Sequence, residues 1–379
     1  MERDVEVLLD LESLFSDAKL VLWGAGETGQ EFARRLGATR PDVTIVGFID
    51  SYREGDWNGI PILKPAQIDT LGSDVLLIIT SVFWSEIRKT LEASSSREYK
   101  ILSNDLINQA SHLSAYGSFY FDSGRRADLE ARLSQITPHF RTVLDRDVLR
   151  KLFDLRVGQK EAEFFAYVDE LTQNQKKSFQ NRDKYSRHLD LEGVRYVIEG
   201  GVYDGEDTYR LIEALKGLPS FKRFYAFDPF LDALHSGEYF TKIDSGICEF
   251  HQKVLWDCTE RIAFRVDREN PANSTVLRGA DLADVNTDTH DAVTIDSFVA
   301  EVKTPVDLIK LDVEGSEMNV LNGARDTIVQ WRPKMAISLY HRKEHLFEIP
   351  EFLLSLHSDY KFSISVNNPT FVDMVLYAS

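Results

Sequence analysis

The sequence predicts an α/β protein built on two mostly parallel sheets with helices between their strands. Three observations carry that expectation. Strand-like apolar runs alternate with helical periods in two separate regions, the first strand of each region ends in a glycine-rich turn, and the stretch between the regions shows helical spacing alone. The 379 residues therefore divide into a sheet domain over 1–110, a helical connector over 111–190 and a second sheet domain over 191–379. Two domains suit a chain longer than one hydrophobic core supports.

In the first region, KLVLWGAG reads as a buried strand ending in glycine, with Trp23 a core residue, and TGQEFARRLGA places Phe32 and Leu36 on one helical face. VTIVGFID is a second strand, NGIPIL a turn and short strand, KPAQI a helix start, and SDVLLIIT a third core strand. FWSEIRKTLEAS is a helix and YKILS a last strand. The connector holds three amphipathic helices, RADLEARLSQI, FRTVLDRDVLRKLFDLRVG and QKEAEFFAYVDELTQNQ. Beyond Gly193, strands are expected at RYVIEGG, RFYAFDP, CEFHQKVLW, DLIKLDVEG and KMAISLYH, and helices at EDTYRLIEALKG, SEMNVLNGARDTIVQW and IPEFLLSLH. YKFSISVNN and FVDMVLYAS follow with no helix between them, which predicts an antiparallel hairpin closing a mostly parallel sheet.

Hydrophobic residues make up 43% of the chain, enough for two cores, so global disorder is not expected. The formal net charge of −17 disfavours nucleic acid and anionic membrane surfaces, because phosphate recognition relies on clustered lysine and arginine. A neutral or cationic ligand fits better, such as a small-molecule or glycan substrate. Cys248 and Cys258 form neither a disulfide framework nor a zinc-ligand spacing. The opening MERDVEVLLDLESLF lacks the basic-then-apolar order of a signal peptide, and the longest apolar run, VLLII, is too short to span a bilayer. A soluble, cytoplasmic protein with no membrane insertion is expected.

The stretch VIEGGVYDGEDTYRLIEAL runs from a strand through a glycine turn into a helix. In a parallel sheet, ligands bind at the carboxyl ends of strands where the strand order reverses. Gly200, Gly201 and Gly205 let the backbone approach such a ligand, and the following helix aims its first amides at it. YAFDPF ends the next strand with Asp228, an acid placed to accept both hydroxyls of a ribose. The glycines do not match G-x-G-x-x-G, so a nucleoside without phosphates fits better than a dinucleotide.

Six segments, VIEGGVYDGEDT, FDPF, AVTIDSF, DLIKLDVEGSEMNVLNGA, RPKMAISLYH and HLFEIPEFL, occur in this order. Together they resemble FkbM-type methyltransferases, which use S-adenosylmethionine, and the resemblance runs from Gly193 to Ser379. It implies a class I methyltransferase fold, with the cofactor along Glu199, Gly200, Gly201, Val202, Tyr203, Asp204 and Gly205 and its ribose on Asp228. Glu199 departs from the aspartate that many methyltransferases carry there. The resemblance also implies the acceptor, a hydroxyl of a sugar, nucleotide-sugar or glycan precursor. The plainer reading of Glu199 is a cap for the helix that follows.

Methyl transfer is a direct displacement, and an alcohol acceptor must lose its proton as it attacks. IKLDVEG presents Asp312 and Glu314 at a strand end, on one side by the period of two. ISLYH brings His341 to the end of the next strand, where a neutral imidazole could act as base. His345 is expected in a loop or helix. The plainer alternatives are that Asp312 caps the helix beginning near Ser316, that Glu314 pairs with a lysine, and that His341 is structural. Asp312, Glu314 and His341 could instead hold a divalent cation that orients a sugar diol, and the spacing does not decide between base and metal.

The earlier turn, GAGETG, matches G-x-G-x-x-G between a strand and a helix, with Asp50 at the end of the next strand as a ribose acid. Gly24, Gly26, Gly29 and Asp50 would then contact a nucleotide in a Rossmann-like domain. GFIDSYREGDWNGIPIL also resembles the nucleotide-binding N-terminal domains of sugar-modifying proteins, including some acyltransferases that hold a nucleotide-sugar. The competing reading is a degenerate domain kept for packing or for forming a homo-oligomer. In the connector, NRDKYSRH offers Tyr185 to cover the cofactor and Arg182 or Arg187 to meet an acidic substrate, against the plainer reading of a solvated helix end. Two rival functions remain at this point, a nicotinamide-dependent oxidoreductase and a non-catalytic nucleotide-sugar-binding protein. The chain has no Tyr-x-x-x-Lys pair for the usual short-chain carbonyl chemistry, and LDVEG has no role in hydride transfer.

Overall fold

In the computed structural model of the chain, residues 6–81, 83–109, 118–178, 183–231, 238–265, 275–276, 287–368 and 373–379 are described. They form two compact units. One comprises Met1–Arg125, Leu152–Gln173 and Asn368–Val372; the other comprises Arg126–Lys151, Asn174–Asn367 and Asp373–Ser379. The helices of the stretch 111–190, α4 at Arg126–Ile136, α5 at Val143–Val157 and α6 at Glu161–Ser178, are shared out between them.

The first unit is organised by β2 (Lys19–Trp23), which pairs in parallel with β3 (Thr44–Ile49) on one side and β6 (Val75–Ile79) on the other. Outside them lie β1 (Val7–Leu8), β4 (Gly55–Trp57), β5 (Ile60–Leu63) and β7 (Tyr99–Leu102), in the order β1-β7-β6-β2-β3-β5-β4, with β4 antiparallel at one edge. The period of two sorts β2 into two cores. Leu20 and Leu22 join Phe32, Leu36, Phe48 and Ile78 on one face, while Val21 and Trp23 join Ile49, Ile79, Trp84 and Phe165 on the other. Both faces are covered because the helices α1 (Glu27–Thr39) and α2 (Trp84–Ser94) cross over between parallel strands. Helix α3 (Asn104–Gln109) follows the last strand.

The second unit contains β8 (Tyr196–Gly200), β9 (Arg223–Phe227), β10 (Cys248–His251), β15 (Leu308–Leu311), β16 (Lys334–Ser338), β17 (Phe362–Asn368) and β18 (Asp373–Ala378), in the order β10-β9-β8-β15-β16-β18-β17. The five strands from β10 to β16 are parallel, and β18 runs antiparallel to β16. A smaller sheet, β11 (Val254–Leu255), β14 (Thr287–Val293), β12 (Arg261–Arg265) and β13 (Thr275–Val276), sits in the order β11-β14-β12-β13. Most of its strands are short, and the longest, Thr287–Val293, is largely polar, so the sequence pattern missed them; CEFHQKVLW breaks at Gln252 and Lys253 into strands of two different sheets.

Helices α7 (Glu206–Leu215), α8 (Ile295–Val302), α9 (Glu317–Asn322), α10 (Arg325–Trp331) and α11 (His345–Leu356) complete the unit. SEMNVLNGARDTIVQW is two helices rather than the single one expected. A Cβ on Gly323 would lie 2.0 Å from the Trp256 carbonyl oxygen, so the chain passes this point only as glycine and bends there. Among the described residues no helix is long and apolar enough to cross a membrane.

Candidate active site

The strand order of the second unit reverses at β8, where the chain leaves to β9 on one side and β15 pairs on the other. Gly201 follows β8 with φ +83°, and a Cβ there would fall 1.8 Å from the Asp312 carbonyl oxygen. Tyr203 is also left-handed (φ +54°) and 51% exposed, and Gly205 (φ +81°) caps α7. Asp204 Oδ1 accepts the Glu206 amide at 3.0 Å, which binds the turn to the helix start.

Asp228 stands just beyond β9, buried to 8% exposure. Its Oδ2 accepts the Val202 amide at 3.0 Å and the Tyr203 amide at 3.4 Å, and Oδ1 accepts the Phe230 amide at 2.8 Å. Burial pushes its pKa up, against the pull of these amides. A carboxylate has about four acceptor positions, so the group that organises the turn keeps capacity for a ligand hydroxyl.

Glu199 is placed differently from the expectation that it lines the ligand. It is fully buried, its Oε2 accepts Thr208 Oγ1 from α7 at 2.7 Å, and its Oε1 lies 3.0 Å from Lys310 Nζ on β15. Lys310, 2% exposed, also donates to the Gly201 carbonyl at 2.5 Å. Burial works against its charge, but Glu199 and then Asp312 hold its pKa above the usual lysine range. Glu199 and Lys310 therefore hold the glycine turn from within the protein.

A second group of polar side chains lies past the ends of β15 and β16. The strand stops at Leu311 and Glu314 is left-handed (φ +49°), so strand alternation does not align Asp312 with Glu314. Tyr185 donates to Asp312 Oδ2 at 2.6 Å and Tyr340 donates to Oδ1 at 3.0 Å, which occupies the carboxylate with two phenols. The Tyr185 ring is buried, and Lys310 Nζ lies 4.8 Å from its centroid. Tyr185 thus locks Asp312 in the interior. Arg187 donates to Asn367 Oδ1 at 2.5 Å, and Arg182 lies outside the described residues.

His341, 4% exposed, has carboxylates at both ring nitrogens. Nδ1 is 2.8 Å from Glu317 Oε1, while Nε2 is 3.3 Å from Glu314 Oε2 and 3.7 Å from Asp312 Oδ1. Burial opposes protonation, yet Glu317 and Glu314 raise its pKa well above the ordinary value, so the imidazolium is the favoured form. The sequence reading expected a neutral base here; the structure sets the ring between two carboxylates. His345 begins α11 and reaches Glu317 Oε2 at 3.2 Å through Nδ1.

Donor atoms of Asp312, Glu317 and His341 lie within 4.8 Å of one another. Such a trio could hold a metal ion, while Glu317 also faces Nδ1 and Asp312 faces Nε2 of the same ring.

The first glycine turn repeats the backbone wiring of the second. Gly24 N donates to the Ile49 carbonyl at 2.9 Å, as Gly201 N does to Phe227 at 2.9 Å. Asp50 Oδ2 accepts the Ala25 amide at 3.0 Å, and Oδ1 accepts Tyr52 and Arg53 at 2.9 and 3.0 Å. Burial opposes its charge here too, but the amides prevail and its pKa falls below the usual carboxylate range. Gly24 has φ +121°, and a Cβ on Gly29 would fall 1.9 Å from the Gly24 carbonyl oxygen, whereas one on Gly26 would meet nothing within 4 Å. Trp23 lies in the core.

Residues 199–364 match the methyltransferase FkbM domain. Residues 16–102 match a second family, the C2185-like N-terminal domain. No curated protein matches the chain. Among solved structures, an FkbM methyltransferase from Methylobacillus flagellatus KT is similar over 96% of this chain and 90% of its own, with 19% identity and a TM-score of 0.63. At that identity the likeness concerns the fold. A fibrillarin/Nop5p complex covers 50% of this chain and 74% of its own at 12% identity and a TM-score of 0.32, too slight to support an argument.

Sequence reasoning did not find Lys310, Thr208, Tyr340 or Glu317. A lysine inside the otherwise apolar strand LIKL was the available signal for the first, since a buried lysine demands a partner. Tyr340 and Glu317 gave none, because their contacts are made between residues far apart in sequence that the pattern does not bring together.

Proposed function

We propose that the C-terminal unit transfers a methyl group from S-adenosylmethionine to a hydroxyl of a sugar, nucleotide-sugar or glycan precursor. The observation that carries this reading is Asp228, a buried carboxylate that gathers the amides of the glycine turn and retains acceptor capacity at a strand-order reversal. The residues suit the cofactor: Gly201 and Gly205 hold the turn in left-handed backbone (φ +83° and +81°), and the exposed Tyr203 stands on it. When bound, S-adenosylmethionine supplies an electrophilic methyl group.

The chain's own residues then divide the work. Asp228 accepts a ribose hydroxyl, and the amides after Gly205 line the turn. Glu314, whose side chain is 31% exposed, accepts the proton of the acceptor hydroxyl, and His341 holds that carboxylate at 3.3 Å. Asp312, held by Tyr185 and Tyr340, fixes the floor of the acceptor side.

Calorimetric titration with S-adenosylhomocysteine, NAD and a nucleotide-sugar tests the reading. Binding of S-adenosylhomocysteine that Asp228→Ala abolishes is the expected result. Binding of NAD alone would overturn it in favour of an oxidoreductase, and binding of the nucleotide-sugar alone in favour of a binding protein.

A further inference from the structure

Glu199 and Lys310 are register partners on β8 and β15, and both are buried. The first unit provides an internal comparison. Its central strands follow the same order around β2, and the same backbone bonds close its turn: Thr80 N to the Trp23 carbonyl at 2.9 Å beside Asp312 N to Gly200 at 3.0 Å, and Asp50 N to Leu63 at 3.0 Å beside Asp228 N to His251 at 3.2 Å. At the positions matching Glu199 and Lys310 stand Leu22 and Ile78, paired in the same register and fully buried. Thr80 Oγ1 donates to the Gly24 carbonyl at 3.1 Å, where Lys310 serves the Gly201 carbonyl in the other unit.

This framework therefore stands without an ion pair. Desolvating two charges is expensive, and an apolar pair of similar size is commonly as stable or more so. A pair kept in one copy of the framework and absent from the other calls for a reason outside folding. Its contacts supply one: the ammonium reaches the Gly201 carbonyl, the Glu199 carboxylate reaches Thr208 on α7, and the Tyr185 ring above Lys310 carries the hydroxyl that holds Asp312.

We propose that Lys310, neutralised by Glu199, is a positioning residue that sets the cofactor turn and the acceptor-side Asp312 in register with each other. Glu199 has a second effect, since it cancels the lysine charge next to a site for a cationic sulfonium. The inference rests on the S-adenosylmethionine reading above.

The test transplants the first unit's own residues, as Glu199→Leu with Lys310→Ile in the full chain, and measures thermal unfolding together with calorimetric titration of S-adenosylhomocysteine. The double variant is expected to unfold within a few degrees of the parent or above it, while its affinity falls about thirtyfold or more. Lys310→Ile alone, which leaves Glu199 buried without its cation, is expected to unfold well below both. A double variant that fails to fold would show that the pair serves the fold, and one that binds within about threefold of the parent would show that it does not set the turn; either overturns the proposal. A parent that binds no S-adenosylhomocysteine would instead overturn the reading of the site itself.

Discussion

Glu314 and Asp312 lie two residues apart, yet their surroundings divide them. Both Asp312 oxygens receive phenolic hydroxyls, whereas Glu314, in a left-handed conformation, lies nearer the His341 Nε2 that both face, at 3.3 against 3.7 Å. Glu314→Gln is accordingly expected to lower turnover by about 10²–10⁴-fold and leave S-adenosylhomocysteine affinity within a few-fold; lost affinity would place Glu314 on the cofactor side. His341 gives a pH signature. Its folded pKa is raised above the ordinary 6.5, so the stability it contributes is full below that value and is lost as pH rises through the folded pKa. The unfolding free energy of the parent minus that of His341→Asn should be largest near about pH 6 and shrink toward about pH 9. A flat or growing difference would remove the imidazolium. The residue types of this site were legible in LDVEG and LYH, but their roles were not, because strand alternation ends at Leu311 and Ser338 and turns decide what each carboxylate faces.

At the scale of elements, the strands and helices around each glycine turn were readable from period and punctuation. Apolar strands buried on both faces announce themselves, as VLLII does. The small sheet of β11 to β14 was not readable, since its longest strand, THDAV with two preceding residues, has no apolar alternation. The turn after β8 makes a sharp test of close approach. Gly201→Ala places a Cβ 1.8 Å from backbone oxygen and keeps φ at +83°, so a loss of at least about 3 kcal/mol in denaturant unfolding is expected. Gly217→Ala, with nothing within 4 Å, should change stability by no more than about 0.5 kcal/mol. Equal effects would mean that the turn does not pass as closely to Asp312 as described.

For the whole molecule, one backbone design is used twice with different interiors. The first unit closes its turn with Leu22, Ile78 and Thr80; the second closes it with Glu199, Lys310 and Asp312. The glycines and the strand-tip acids Asp50 and Asp228 were visible in sequence in both cases, which explains why a nucleoside could be expected at either. What separates the two turns is the charge placed beneath them, Glu199 and Lys310 against Leu22 and Ile78. The most direct measurement is a crystal structure of the full chain with S-adenosylhomocysteine. The account predicts the ligand along Gly201–Gly205 with a ribose hydroxyl on Asp228 and its sulfur toward Glu314; a ligand bound elsewhere, or one whose ribose leaves Asp228 untouched, would contradict it.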